Sequence, residues 1–404
     1  MRAYRRDLPL FTFSFLIFNL TMDKLKNAII SFFSSNRKVF WFGFLIATIA
    51  TALELFRGRA ENYHVFADAT LYFWQGINPY THEFVEELHR YFLYTPVFTV
   101  LFAPIAFLPD YIGGFVWNLT NYTLMYWAVM TLPDKIAVPK LKIFLYLLLL
   151  LEQSIFPFQY NITVCYIFLY AFTLLEKDKP VLAVLLIMVS ATTKIYGVFE
   201  LALLFCYKHT FRNFCYAALF GAILLVSPAI VKGFDGLLPY YNEWWSILHE
   251  HNTEEIYISL IHLPPIRPFM VAHSGEVQMG SLALLSVVFF ATYKRWSDFT
   301  YRTRMLAVLM GWILLFSDAS ENHTYIIAFS GFMLFYYTKP EHTLFDKILY
   351  WSNWFVFGVM PVDVLFPVPV YAFFRKVLWL DVCLFTVTWV YMIWQTLNKV
   401  RVKS

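Results

Sequence analysis

The chain has 404 residues, of which 60% are hydrophobic, 21% aromatic and only 14% charged, a composition too apolar for a soluble globular protein. Its formal net charge of +4 is small and spread over loop ends, which argues against a nucleic-acid footprint. The sequence therefore predicts an integral membrane protein with no nucleic-acid partner.

Apolar runs of roughly 15 to 25 residues recur along nearly the whole chain, close to the length that a helix needs to cross a bilayer. In hydrocarbon, the backbone can satisfy its polar groups only in helices or in a closed barrel. The runs lack the alternation of barrel strands. We therefore expect an all-α, polytopic membrane bundle of about 10 to 13 transmembrane or re-entrant helices.

The first firm span runs over Val39–Phe56. Arg37 and Lys38 precede it, and the cytoplasmic preference of basic residues places its start in the cytoplasm. Before it, the apolar run Leu8–Leu20 follows three arginines and resembles a short signal-like segment without a clear cleavage site. A start at Met22 is the alternative.

No internal repeat or soluble domain interrupts the chain. We predict a cytoplasmic lead-in, one membrane domain and a cytoplasmic tail, over residues 1–38, 39–397 and 398–404. Applied to the later loops, the positive-inside rule leaves three polar stretches on the external face, near residues 57–92, 232–280 and 318–323.

Two apolar segments do not fit a simple span. Leu93–Pro109 is short and carries three prolines, so we expect a re-entrant or kinked helix. Val181–Tyr207 is too long for one span and is interrupted at Thr192–Lys194. It is either a hairpin that presents Lys194 outside or a single tilted helix.

The first external loop carries a candidate active-site wall. If residues 61–73 are helical, Glu61, His64 and Asp68 stand at positions i, i+3 and i+7 and share one face. A carboxylate there could take a proton from a hydroxyl group, which makes Glu61 and Asp68 the candidate catalytic residues. The alternative is that these acids are solvated or paired with neighbouring arginines.

A phosphate group would need cations and hydrogen-bond donors, and four side chains could supply them if the loops fold together: Arg59, His64, Lys194 and His323. An arginine beside a membrane is also an ordinary anchor. Asp318, Glu321 and His323 separate two apolar runs and should face water or a polar cavity. An external turn that caps a helix is the alternative.

Two glutamates interrupt apolar runs, Glu152 in LLLLLEQSIFPF and Glu200 in KIYGVFELALLF. Ionisable groups are costly inside a membrane. Each therefore either meets a substrate or pairs with Lys194 or another buried group.

Two stretches, NYHVFADATLYFWQGINPY (Asn62–Tyr80) and YTPVFTVLFAPIAFLPDYIGGFVWNLTN (Tyr94–Asn121), resemble glycosyltransferase family 87. These GT-C-type membrane enzymes include the polyprenol-phosphate-mannose-dependent mannosyltransferases. The positions that match the family pattern are Gly76, Asn78, Pro79, Tyr80, Tyr94, Pro96, Pro104 and Trp117, followed by Lys194 in TTKIYG and His323 in ENHTYIIA.

The resemblance implies a GT-C-like bundle in the plasma membrane that transfers a hexose, mannose-like, from a polyprenyl-phosphate-linked sugar. The acceptor would be a lipid-linked or cell-envelope glycan, and transfer would be inverting and on the external face. Either Glu61 or Asp68 would be the base, and the substrate-binding residues would be Arg59, Asn62, His64, Tyr94, Lys194, Glu321 and His323. No cofactor is implied, although a divalent ion bound by carboxylates is compatible with this chemistry.

One departure from the family pattern is important. Asn62 stands where the family has its catalytic aspartate, and an amide cannot act as a general base at neutral pH. Glu61 or Asp68 would have to take over. If neither reaches the acceptor, the chain is a catalytically silent relative. A transporter or flippase for lipid-linked saccharides is the competing class.

Overall fold

The computed structural model describes residues 24, 26–88, 91–136, 138–251, 259–317, 320–362 and 364–398. The expectations for residues 1–23, for Asp318 and for the last six residues lie outside this part of the chain. The chain divides into two compact units, Met1–Ile46 and Ala47–Ser404. In the first unit, residues 26–33 and 36–46 are helical. One helix, Asn36–Phe56, crosses the boundary into the second unit.

The second unit is helical in every regular element that the structure describes. The α-helices are α1 (Asn36–Phe56), α2 (Glu61–Trp74), α3 (His82–Leu88), α4 (Pro96–Ala106), α5 (Asp110–Met130), α6 (Lys140–Ile155), α7 (Asn161–Glu176), α8 (Pro180–Thr193), α9 (Thr210–Val226), α10 (Ala229–His251), α11 (Arg267–Ala272), α12 (Ser274–Ala291), α13 (Phe299–Phe316), α14 (Tyr325–Tyr336), α15 (Leu344–Asn353), α16 (Val368–Lys376) and α17 (Leu380–Leu397). The 3₁₀ segments are Ile195–Cys206, Leu260–His262, Tyr293–Arg295 and Asn322–Thr324, and Trp354–Val359 forms a π-helical turn.

Among the described residues, four helices are long and apolar enough to cross a membrane: α1, α12, α13 and α17. The number rises to six if each of two sharply bent helix pairs counts as one span. Three further helices are apolar but shorter: α7, α8 and Ile195–Cys206. This confirms the predicted all-α, polytopic membrane fold.

The segment with three prolines is bent, as predicted. α4 begins at Pro96, and the chain turns through 112° between α4 and α5. Pro109 directly precedes α5, where proline cannot continue a helix from the preceding turn. α4 and α5 therefore form a broken span or a re-entrant loop.

The long apolar segment is a hairpin, and the alternative of a single tilted helix is wrong. α8 ends at Thr193, and Lys194 has extended backbone angles. Leu204 returns to pack in one buried cluster with Val184 and Ile187. Gly197 lies so close to α8 that a Cβ there would be 2.3 Å from the backbone nitrogen of Ala191.

The core lies around the α13–α14 pair, which is buried along nearly its full length. Loops predicted to be cytoplasmic meet at one end of this core. The Arg302 guanidinium binds both carboxylate oxygens of Glu176, at 2.6 and 3.0 Å. Lys135 and Tyr207 contact the same carboxylate at 3.6 and 2.7 Å. The hairpin tip with Lys194 meets a different set of loops.

Candidate functional site

Lys194 is held at the tip of the hairpin between polar and aromatic side chains. Its Nζ donates a hydrogen bond to Oδ1 of Asn161 at 2.8 Å. The same atom lies 5.5 Å from the ring centre of Tyr94 and 5.0 Å from that of Tyr196. Aromatic rings attract a cation through their quadrupoles. Because an ammonium carries three N–H donors, Lys194 can bind an anion and keep its bond to Asn161.

Tyr94 is fixed in this position by contacts on several sides. Its carbonyl oxygen accepts a hydrogen bond of 2.8 Å from the Tyr80 hydroxyl. The next residue, Thr95, donates its hydroxyl to the carbonyl oxygen of Thr192, close to the hairpin tip. The Tyr94 ring also packs edge-on against Phe66 of α2, with ring centres 5.1 Å apart. The motif Tyr-Thr-Pro therefore links the loop that carries Tyr80 to the lysine.

The late polar cluster approaches the same lysine. Burial lowers the pKa of Lys194 to about 8, and the negative charge of Glu321 opposes this shift. Burial also lowers the pKa of His323 to about 4. A hydrogen bond with the Gln153 backbone opposes this shift, whereas the charges of Arg375 and Lys194 add to it. At neutral pH the site therefore combines a charged lysine with a neutral imidazole.

One ring nitrogen of His323 is left without a described partner. Nδ1 is buried and has no hydrogen-bond partner among the residues that the structure describes. A neutral imidazole can accept a hydrogen bond at one nitrogen and donate one at the other. We define the lysine site as Tyr94, Asn161, Lys194, Glu321 and His323.

Arg375 is a functional candidate that the sequence analysis missed. It lies in the last turn of α16, and its charge reaches His323. Its Nε lies 3.9 Å from Oδ2 of Asp381. It stands in the short gap between two apolar runs, where a basic residue looks like a membrane anchor. The sequence analysis also missed Asn161 and Tyr196. The one local signal that could have drawn attention to Asn161 is the polar break FQYN before an apolar run.

The helix on which the acidic face depends is present. α2 spans Glu61–Trp74, and Glu61, His64 and Asp68 share its less buried face. Glu61 is exposed, whereas His64 and Asp68 are half-buried. The His64 imidazole lies 3.4 Å from Asp110 at the start of α5. The two carboxylates and the imidazole thus form the expected acidic face.

This acidic face is turned away from Tyr94. Phe66, which packs against Tyr94, and Asp68 are two residues apart, so their side chains leave α2 in directions about 160° apart. Asn62 lies four residues before Phe66 and therefore on the same side of α2, where its amide donates a hydrogen bond of 2.7 Å to the carbonyl oxygen of Pro157. The lysine site and the acidic face are therefore separate walls on two sides of α2.

Arg59 lies exposed in the turn between α1 and α2. Its backbone N–H bonds the carbonyl oxygen of Glu54 at 2.8 Å, which closes the end of α1. The structure thus brings four predicted residues together in the lysine site, Tyr94, Lys194, Glu321 and His323. Glu61, His64 and Asp68 share the second wall, and Arg59 precedes it.

The two glutamates of the apolar runs are buried, Glu152 at 8% and Glu200 at 0% exposure. All four of their carboxylate oxygens are without a hydrogen-bond partner in the described part of the chain. A pair with Lys194 was one of the alternatives for these glutamates, and it is not seen there; Lys194 donates to Asn161. In the same part of the chain, His, Cys, Asp and Glu side chains form no group of three that could hold a metal ion.

The chain is similar to a family of membrane enzymes. The family model of glycosyltransferase family 87 matches residues 92–317, which is more than half of the sequence. The match covers Tyr94, Asn161 and Lys194, and it ends before Glu321. No curated protein matches the chain.

Proposed function

The chain belongs to glycosyltransferase family 87 and is therefore a membrane glycosyltransferase. On this premise we propose that it uses a polyprenyl-phosphate-linked sugar as donor. The sugar would be a mannose-like hexose, and the acceptor a lipid-linked or cell-envelope glycan. Transfer would take place on the external face of the plasma membrane.

The observation that carries this proposal is the lysine site. A sugar phosphate combines an anion with a ring, and Lys194 supplies the matching cation between the rings of Tyr94 and Tyr196. Arg375 adds a second cation whose charge reaches His323. The family match includes both Tyr94 and Lys194. A phosphate at this position would be stabilised as the sugar leaves it.

The proposed reaction is a single displacement with inversion. An acceptor hydroxyl attacks the anomeric carbon, a new glycosidic C–O bond forms, and the bond between that carbon and the phosphate oxygen breaks. The hydroxyl proton passes to a carboxylate. Glu61 and Asp68 are the candidates from the sequence but lie across α2 from the lysine site, whereas the charge of Glu321 reaches Lys194 within it. The leaving phosphate gains charge, which Lys194 and the hydrogen bonds of His323 would stabilise.

Other residues would position the two substrates. We propose that Arg59 and His64 belong to the acceptor side, next to Glu61 and Asp68, and that Asn62 supports the opposite side of α2. Tyr94 and Glu321 belong to the donor side, next to Lys194. Since Asn62 donates to the Pro157 carbonyl, its role would be to hold the start of α2 in place.

The test is transfer of radiolabelled sugar from purified polyprenyl-phosphate donors by the chain and three variants, Glu61→Gln, Asp68→Asn and Glu321→Gln. Glu321 is included because its charge reaches Lys194. Glu83→Gln is the matched control, since Glu83 is an exposed acid of the same loop. One variant should lose turnover and still bind donor, which would identify the base.

Full turnover in all three variants would contradict the assignment of a carboxylate base. Passage of intact donor across the bilayer, without cleavage of the sugar–phosphate bond, would favour the flippase. Donor binding without transfer in the native chain would indicate a silent relative.

A further inference from the structure

Helix α10 turns sharply away from the apolar helix that precedes it. α9 and residues Ala229–His249 meet at 96°. Ser227 and Pro228 separate them, and proline interrupts the helical hydrogen bonds. Gly233, with φ 67°, then introduces a kink, and the helix continues beyond it with Pro239 in its interior. A helix that leaves an apolar helix at about a right angle is either the second half of a broken span or a helix that lies along the membrane surface, and the side chains of α10 distinguish the two.

One side of α10 is apolar and uncovered. Phe234, Leu238 and Trp245 are 76%, 69% and 52% exposed. Their spacing of four and seven residues places them within about 40° on one face of the helix. Asp235 and Glu243 lie outside this arc. We call the three side chains the apolar stripe.

The other side of α10 holds the first external loop. Four hydrogen bonds join them: Lys232 Nζ to the Gly76 carbonyl, the Tyr240 hydroxyl to the Ile77 carbonyl at 2.7 Å, Trp244 Nε1 to the Leu93 carbonyl at 2.9 Å, and the Asn78 amide to the Glu243 carboxylate. The Tyr240 ring also packs edge-on against Tyr80, which in turn bonds the Tyr94 carbonyl. α10 is therefore two contacts away from Tyr94.

We propose that α10 is a surface helix that docks its apolar stripe into membrane lipid and, with its opposite side, holds the loop of Tyr94 in place. The claim concerns lipid contact and loop order, so it stands apart from the identity of the donor.

The occupant of the stripe is lipid because the exposed apolar surface continues from α10 onto α9. On α9, Leu219 and Ile223 are 54% and 59% exposed. A bilayer covers both a crossing helix and a helix that lies along its surface. Trp245 supplies the kind of ring that concentrates at the lipid–water boundary. Polar residues beside the stripe complete the pattern of an interfacial helix.

Docking can be measured with a fluorescent label in liposomes. The four native cysteines, Cys165, Cys206, Cys215 and Cys383, are first replaced by serine. Leu238→Cys then places the label on the stripe, and Ser246→Cys places it on the exposed polar side of α10. We expect nitroxide-labelled lipid to quench the label at 238 at least about threefold more than the label at 246, with the reverse order for aqueous iodide.

Two results would overturn docking into lipid. Equal iodide access at both positions would place the stripe in water. Protection of position 238 from lipid and iodide alike would mean that protein, such as a second copy, covers it.

The effect on the loop is measured by hydrogen exchange in lipid nanodiscs. The double variant Phe234→Ser/Leu238→Ser should raise amide exchange in residues 76–80 and 92–94 about tenfold, because α10 no longer holds them as firmly. Asp235→Ser is the matched control, and protected amides in α13 and α14 show that each variant is folded. Loss of lipid contact with unchanged exchange in the loop would refute the second half of the proposal.

Discussion

Replacement of Lys194 by methionine removes the central charge of the lysine site and keeps most of the side-chain volume. A phosphate oxygen about 4 Å from the ammonium interacts with it by about 4 kcal/mol at an effective dielectric constant of about 20. Only the part of this interaction energy that grows as the phosphate leaves affects the rate. Removal of one group that stabilises charge in the transition state typically costs about 100- to 1,000-fold in kcat. We expect a loss of that size in Lys194→Met.

The assay is single-turnover transfer of radiolabelled sugar from a polyprenyl-phosphate donor, with donor binding measured separately. Lys194→Arg keeps the charge but changes its shape, so it should recover part of the rate. Lys208→Met is the control, because Lys208 is an exposed lysine in a loop predicted to be cytoplasmic. A rate in Lys194→Met within about threefold of the native rate would refute the role of this charge in stabilising the phosphate.

The same residue predicts a pH dependence. Burial lowers the pKa of Lys194 to about 8, so its positive charge is present below that pH and is lost as the pH rises through it. Transfer should therefore decline on the alkaline side of about pH 8. Because arginine stays charged throughout this range, Lys194→Arg should move the decline to higher pH. An identical alkaline limb in both proteins would assign the decline to another group.

Three stability predictions follow from the buried polar groups and close contacts. Glu200→Leu removes a fully buried carboxylate without a described partner. It should therefore raise the free energy of unfolding by about 1–3 kcal/mol. A lower unfolding temperature in detergent would show instead that the carboxylate has a partner. Glu176→Gln leaves the buried Arg302 without its counter-charge and should cost about 3 kcal/mol, and the added change Arg302→Leu should restore part of the unfolding temperature. Gly113→Ala places a methyl group 2.2 Å from the buried Tyr63 hydroxyl and should cost about 1–3 kcal/mol, of which Tyr63→Phe recovers part in the same measurement.

Local features of the fold could be predicted from the sequence because their causes are local. The spacing of Glu61, His64 and Asp68 predicted one shared face on the condition that residues 61–73 are helical, and the structure has a helix at Glu61–Trp74. Three prolines in a short apolar run predicted the bend between α4 and α5. The polar break at Thr192–Lys194 predicted the end of α8. In each case the residues that determine the backbone conformation lie close together in the sequence.

The composition of the lysine site could be predicted only in part, because contacts between distant segments assemble it. Motif positions suggested Tyr94 and Lys194, but the pattern gave no sign that Asn161 would bond the lysine across 33 residues of chain. Arg375 sits in a helix turn that looks like an anchor, and only folding brings its charge near His323. Similarly, α2 has its predicted face, yet packing turns that face away from Tyr94.

The most direct test of the account uses the purified chain in liposomes with radiolabelled polyprenyl-phosphate mannose and a glycolipid acceptor. The account predicts that label moves to the acceptor with inverted anomeric configuration and that one polyprenyl phosphate is released for each sugar transferred. Movement of the intact donor from one leaflet to the other, with no release of polyprenyl phosphate, would contradict it.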